Sequence, residues 1–213
     1  MYYSQIQQDK ILNEVFFKNM RGGFFVDVGA HDGINCSNTY FYEKELGWNG
    51  ICIEPYPRIF KELEKNRKCT CIEAAICNET SEKPFLEISG YSEMISGLVE
   101  TYDPRHLTRI SNEVRDTNGK TNIINVQTKR LKDIFEEHNV KEVHYLSIDT
   151  EGAELEVLKS IDFNKVNIHI IDIENNYDDT FSVIKTFLES NGFKHAFPIS
   201  FDQIFINSKS IQA

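Results

Sequence analysis

Acidic residues recur at the ends of apolar runs in this chain. Val26-Asp27-Val28-Gly29 closes the first run and Ile51-Cys52-Ile53-Glu54 the second. Leu146-Ser147-Ile148-Asp149-Thr150-Glu151 and Ile171-Asp172-Ile173-Glu174-Asn175 close two later ones. Such runs read as strands buried on both faces, and an open parallel sheet holds its ligand just beyond the carboxyl ends of its strands. The first two runs describe a grip on a nucleoside. Gly29 and Gly33 bracket a turn in which backbone without Cβ atoms can lie close to a ligand, and Glu54 offers a carboxylate to two ribose hydroxyls. A dinucleotide fingerprint would place its next glycines where His31 and Ile34 stand, so the pyrophosphate cradle is missing. S-adenosylmethionine, a nucleoside without phosphate, fits better.

Methyl transfer from a sulfonium is an in-line displacement, so a protein performing it must align the acceptor and exclude water. An oxygen acceptor must also lose a proton. Two routes are open. Asp149 or Glu151 can act as the base directly, or Asp149 with Glu174 and Asn175 can hold a hard divalent ion such as magnesium that lowers the acceptor's pKa. The plainer readings are a turn before the next helix for Glu174 and Asn175, and a helix-dipole partner for Glu151. His31 belongs to the cofactor turn, whereas His106, His138, His144 and His195 form no constellation.

The elements that must position these residues follow from periodicity. Ile11, Leu12, Val15, Phe16 and Met20 stand at helical spacing, which predicts a lead-in helix within residues 1–22. Helices are expected after Ser37-Asn38-Thr39, from Pro57, around Leu131 to Phe135, around Leu155 to Ile161, and from Asp178 to Leu188. Strands are expected at Thr70 to Ile76, Pro84 to Ile88, Ile123 to Val126, Val143 to Ile148 and Val166 to Ile173, with a closing antiparallel pair at Phe193 to Phe197 and Gln203 to Asn207. Between 89 and 122 the periodicity fades, and a stretch of that length reads as a lid. The alternation of strand and helix gives an α/β sandwich.

With 213 residues, 40% hydrophobic and 12% aromatic, the chain suits one well-cored domain spanning 1–213. A net charge of -10 opposes non-specific attraction to nucleic acid or anionic lipid. Five cysteines without a C-x-x-C pair fit a reducing compartment. The first residues carry no basic leader, and no apolar run reaches the length of a membrane span, so a soluble, cytoplasmic protein is expected.

Phe25-Val26-Asp27-Val28-Gly29-Ala30-His31-Asp32-Gly33, Ser37-Asn38-Thr39, Gly47-Trp48-Asn49-Gly50-Ile51-Cys52-Ile53-Glu54-Pro55 and Leu146-Ser147-Ile148-Asp149-Thr150-Glu151-Gly152-Ala153-Glu154 together resemble the FkbM family of S-adenosylmethionine-dependent methyltransferases. Ser4-Gln5 and Asp9 resemble that family's lead-in. The resemblance implies a class I methyltransferase sandwich: seven strands in order 3-2-1-4-5-7-6, the last antiparallel, with helices on both faces. It implies that Asp27 and the turn Gly29, Ala30, His31 and Gly33 pack the methionine portion. Asn38, Thr39 and Pro55, which lie within its motifs, are expected among the cofactor-binding residues. Glu54 would hold the ribose, Ala74 and Ala75 would lie near adenine, and Asp149 would face the methyl end. The expected acceptor is a hydroxyl on a small molecule or sugar. Competing readings are a nucleotide or dinucleotide enzyme on a similar sheet and a cofactor-binding protein without turnover.

Overall fold

The protein was analysed as a computed structural model that describes residues 1–209. A short helix α1 (Gln8–Leu12) continues as a π-helical turn over Asn13–Phe17 and leads into β1 (Phe24–Val28). Alternation follows: α2 (Tyr40–Leu46), β2 (Asn49–Ile53), α3 (Pro57–Asn66), β3 (Thr70–Ile72) and β4 (Ala75–Ile76). The middle of the chain holds β5 (Glu82–Ser89), β6 (Gly97–Leu98), α4 (Pro104–Thr117) and β7 (Lys120–Lys129). It ends with α5 (Leu131–Glu137), β8 (Glu142–Ile148), α6 (Glu154–Lys159), β9 (Asn167–Glu174), α7 (Asp178–Ser190), β10 (Phe193–Ile199) and β11 (Asp202–Asn207).

The main sheet has seven strands in the order β3-β2-β1-β8-β9-β11-β10. Numbered along the chain within that sheet, this is 3-2-1-4-5-7-6, and β11 runs antiparallel to both neighbours. The arrangement is the class I methyltransferase sheet. Side chains alternate across it as a period of two requires. Val26, Val28, Ile51, Ile53, Leu146 and Ile148 face α5, α6 and α7, while Phe25, Cys52 and Tyr145 face Leu12, Tyr42, Trp48 and Leu63. Asp27 shares the face of Phe25 and is thereby turned toward α2. Both faces are dry, which is why the strands read as uninterrupted apolar runs.

A second sheet of four strands, β4-β7-β5-β6, departs from expectation. It splits the single strand expected at Thr70 to Ile76. Ile72 still accepts a hydrogen bond from the Glu54 N–H at 3.1 Å, but Pro55 has no N–H to continue the ladder. Beyond Ile72 the chain leaves β2, and Ala75 and Ile76 pair with Thr128 and Lys129 of β7.

The 89–122 stretch is likewise structured rather than patternless. Asp103 caps α4 by accepting from the Arg105 N–H at 2.7 Å, Pro104 fills the first helical position, and Asn118 ends the helix in the left-handed region. Its inner stripe is one residue wide: His106, Ile110 and Val114 pack on a small core with Ile88, Ile95 and Tyr102. A histidine at the head of so thin a stripe hides the helical period. The lead-in is shorter than expected, with its helical turns confined to Gln8–Phe17. No helix among the described residues is long and apolar enough to cross a membrane.

Candidate active site

A cavity of about 550 Å³ opens at the carboxyl ends of β1, β2, β8 and β9. Asp27, Gly29, Ala30, His31 and Asn38 line it from the β1 side, and Glu54, Pro55, Ala74 and Ala75 from the β2 side. Asp149, Glu151 and Glu174 close it beyond β8 and β9. Gly33, Thr39 and Asn175, which the sequence reading included, do not line it.

The turn after β1 is shaped by backbone hydrogen bonds. The N–H groups of Gly29 and Ala30 both donate to the Ile53 carbonyl at 3.0 Å, and Gly29, His31 and Gly33 take positive φ values of 87°, 47° and 78°. At both glycines the space of the missing Cβ is taken by protein, while the Gly29 backbone still lines the cavity. A Cβ on Gly29 would stand 1.8 Å from the Asp149 carbonyl oxygen, and one on Gly33 would stand 2.6 Å from the side chains of Arg67 and Leu63.

Arg67 is the residue that sequence reasoning missed here. Its buried guanidinium donates to Glu43 at 2.6 Å, to the Gly33 carbonyl at 3.1 Å and to the Thr39 hydroxyl at 3.0 Å. Thr39 in turn donates to the Asp27 carboxylate at 2.6 Å. Thr39 therefore supports Asp27 from behind. Lys65-Asn66-Arg67-Lys68 reads as a solvated helix end, so nothing in the sequence marks its one buried member. Burial raises the pKa of Asp27, and the nearby Arg67 opposes the rise.

Glu54 is buried, and its carboxylate accepts the His31 N–H at 2.9 Å and the Tyr56 N–H at 2.8 Å. Burial nevertheless pushes its pKa to about 7, against a usual 4.5. The folded free protein therefore binds the extra proton between pH 4.5 and 7, and Glu54's contribution to stability is full below 4.5 and is lost as the pH rises through about 7. If Glu54 holds the ribose as expected from the sequence, the hydroxyls would donate to its ionised form, and cofactor affinity should then rise from pH 6 to pH 8. Glu54→Gln should flatten that dependence and weaken binding about tenfold or more, the worth of hydrogen bonds to a charged group. Calorimetry giving an unchanged affinity would remove Glu54 from the cofactor site.

At the far end, oxygens of Asp149, Glu151 and Glu174 all lie within 4.8 Å of one another. Asp149 faces the open cavity and is wetted there. The protein packed around it, and then the charges of Glu174 and Glu151, hold its carboxyl well above the usual carboxylate range. Glu174 is raised to about 7 by burial, then by Glu154 and Asp202. Glu151 sits at a φ of 58° in a turn fixed by Glu154, whose carboxylate accepts from the Thr150 N–H at 3.2 Å and the Gly152 N–H at 2.9 Å. Asn175 turns away: its amide donates to the Tyr177 carbonyl at 2.8 Å and accepts from the Thr180 hydroxyl at 2.7 Å, at the start of α7. Glu151 takes the place in the cluster expected of Asn175.

The segment between β5 and β7 roofs this end. Glu93 pairs with Arg58 and lies 3.5 Å from the His31 ring, while Tyr102 stacks on His106. His106 brings its Nε2 to 3.2 Å from Glu151 Oε2, and Arg109, one turn later, lines the cavity. Neither was legible as a site residue, because their helix was not.

The sheet order and the position of the cavity are those of the class I methyltransferase fold. The crystal structure of Methyltransferase FkbM from Methylobacillus flagellatus KT aligns with a TM-score of 0.50 at 14% identity, covering 87% of this chain and 43% of that one. Residues 27–195 match the Methyltransferase FkbM domain, and the chain belongs to that family of S-adenosylmethionine-dependent methyltransferases. Methyltransferase 1 of Beauveria bassiana (strain ARSEF 2860) is 26% identical over 188 residues, covering 80% of this chain and 72% of that protein. Methyltransferase sdnD of Sordaria araneosa is 25% identical over 191 residues, covering 76% and 72%.

Proposed function

We propose that this protein, as one methyltransferase domain over 1–213, moves the methyl of S-adenosylmethionine to a hydroxyl oxygen of a small molecule or sugar in the cytoplasm. The observation that carries the reading is the meeting of Asp149, Glu151 and Glu174 at the end of the cavity away from Glu54. Adenosine lies along Glu54, Pro55, Ala74 and Ala75, and the methionine portion runs past Asp27 and Asn38 toward Asp149. A carboxylate held above its usual range is a stronger base, suited to take a proton from a hydroxyl as the methyl arrives. Asp149 or Glu151 is that base. The net charge of -10 disfavours a nucleic-acid acceptor.

A second reading has its own observation. Three carboxylates within 4.8 Å of one another are a hard oxygen donor set, suited to a divalent ion such as magnesium. Such an ion would supply a lowered acceptor pKa and would be held by Asp149, Glu151 and Glu174. Methyl transfer to a panel of hydroxylated acceptors, assayed in EDTA and again with added magnesium, separates the readings. With direct base catalysis, activity persists in chelator. Activity lost in EDTA and restored by magnesium assigns the ion.

The 89–122 segment is read as a lid over the acceptor. Because α4 is packed on its own core, its amides should be protected even in the free protein, with slowing of exchange on ligand binding concentrated at 90–96, where Tyr91 and Met94 are exposed. Hydrogen exchange unchanged at 90–96 with cofactor and acceptor bound would reduce the segment to a passive insertion.

A further inference from the structure

The family match begins at residue 27, yet residues before it reach the cavity. Residues 3–9 form a hook. Asp9 is fully buried, and its carboxylate accepts the Tyr3 N–H at 2.6 Å, the Ser4 N–H at 3.2 Å and the Ser4 hydroxyl at 2.7 Å. Its carbonyl accepts the Tyr42 hydroxyl at 2.9 Å. Ser4 forms a parallel β-bridge with Cys36, in the loop that follows the cofactor turn, and the buried Gln8 bonds Asp202 at the start of β11. The hook is thus fastened to three elements of the sheet's cofactor end. Gln5, at its tip, is exposed and lines the cavity.

The place of the hook fixes which part of a ligand it meets. Adenosine belongs at the β2 and β3 end, and the 34–38 loop and β11 bound the opposite end, where the amino-acid portion of the cofactor must lie. That portion carries an ammonium and a carboxylate. Asn38 Oδ1 is buried without a hydrogen-bond partner among the described residues, and with Asp27 it suits the ammonium. The carboxylate has no cation to meet there. Asp27 and Asp202 line this end, with Glu174 beside Asp202 across β9 and β11; Arg67, 4.0 Å from Asp27, does not line the cavity and is held by Glu43, and the cavity's arginine, Arg109, lies on α4 and pairs with Glu113 at 2.7 Å. Neutral donors must serve instead. Four side-chain amides line this end, those of Gln5, Gln8, Asn35 and Asn38. Gln8 is engaged by Asp202, Asn35 by Asp32 and Asn38 by Ser147. Gln5 alone of the four has its amide uncommitted among the described residues.

We propose that Gln5 binds the carboxylate of the cofactor's amino-acid moiety and that Asp9 is the positioning residue that holds it there. The proposal rests on the cofactor reading above and adds a residue to it. The test compares two probes on the full chain: S-adenosylhomocysteine, which carries the amino-acid portion, and 5′-methylthioadenosine, which lacks it. Gln5→Ala should weaken S-adenosylhomocysteine binding about 10- to 100-fold, the range for a hydrogen bond to a charged group, and leave 5′-methylthioadenosine unaffected. Gln5→Glu should weaken it further by placing like charges together, and Asp9→Asn should shift the same probe alone if it remains folded by circular dichroism. Unchanged affinity of Gln5→Ala for both probes overturns the proposal. Equal weakening for both overturns it too, because the hook would then be only a brace. If the wild-type chain binds neither probe, the cofactor reading itself fails, a result distinct from either of these.

Discussion

A Gly29→Val variant is expected to lose its native structure. The added Cβ would stand 1.8 Å from a backbone oxygen of the neighbouring strand, at a φ of +87° that a β-branched residue does not adopt. The Asp149 carbonyl cannot yield, because the Asp149 N–H is bonded to the Val28 carbonyl at 3.0 Å and holds β8 in register with β1. Overpacking and backbone strain together should cost about 4 kcal/mol or more, among the largest effects of single substitutions. Gly47→Ala is the control. Gly47 has a φ of +68° and nothing within 4 Å of its Cβ position, so it should lose only about 1 kcal/mol. Urea denaturation followed by circular dichroism decides between them. A Gly29→Val protein of native stability would contradict the close approach of the two strands.

Asp149→Asn should separate activity from stability. Removing the carboxylate that the proposed function places at the methyl end should lower methyl transfer by about a hundredfold or more, whether Asp149 acts as base or as ligand. Cofactor affinity should change little, since the adenosine contacts proposed above lie on other strands. The free protein should at the same time melt at a higher temperature above pH 7. The protein packed around it and the neighbouring Glu174 and Glu151 make the Asp149 charge unfavourable in the fold, although its carboxylate is wetted at the cavity, and asparagine removes it. Lower activity with unchanged or reduced melting temperature at pH 8 would mean that the three acids do not repel one another as their placement requires.

The parts of this site that the sequence disclosed are those written in one strand and its turn. Asp27, Glu54, Asp149 and Glu174 each end an apolar run, and the sheet places such ends side by side whatever the side chains do. The order of the seven strands followed from the family resemblance, not from the runs themselves. Contacts made between distant segments were not. Arg67 is buried only because Gly33, Thr39 and Glu43 come to meet it, and His106 faces Glu151 only because α4 is brought over the cavity. Asn175 misled in the opposite way. Its spacing suited a ligand, but a short amide beside a helix start is taken first by the local backbone, here the Tyr177 carbonyl. The split after Ile72 is likewise a matter of partner choice, settled by a strand fifty residues away.

The chain passes from the main sheet to the second between Ile72 and Ala75, on the wall assigned to adenine. From there β7 runs without interruption into its ladder with β5, and β5 carries the small core on which α4 rests. A ligand under α4 and a ligand against Ala75 would therefore pull on one stretch of hydrogen-bonded backbone. If occupancy of one tightens the other, thermodynamic reciprocity requires the same factor in both directions. Titrations begun from either ligand must then close the same cycle, and a factor of one would mark the seam as rigid. Order of addition would in that case be a kinetic matter alone, set by which ligand blocks the entrance.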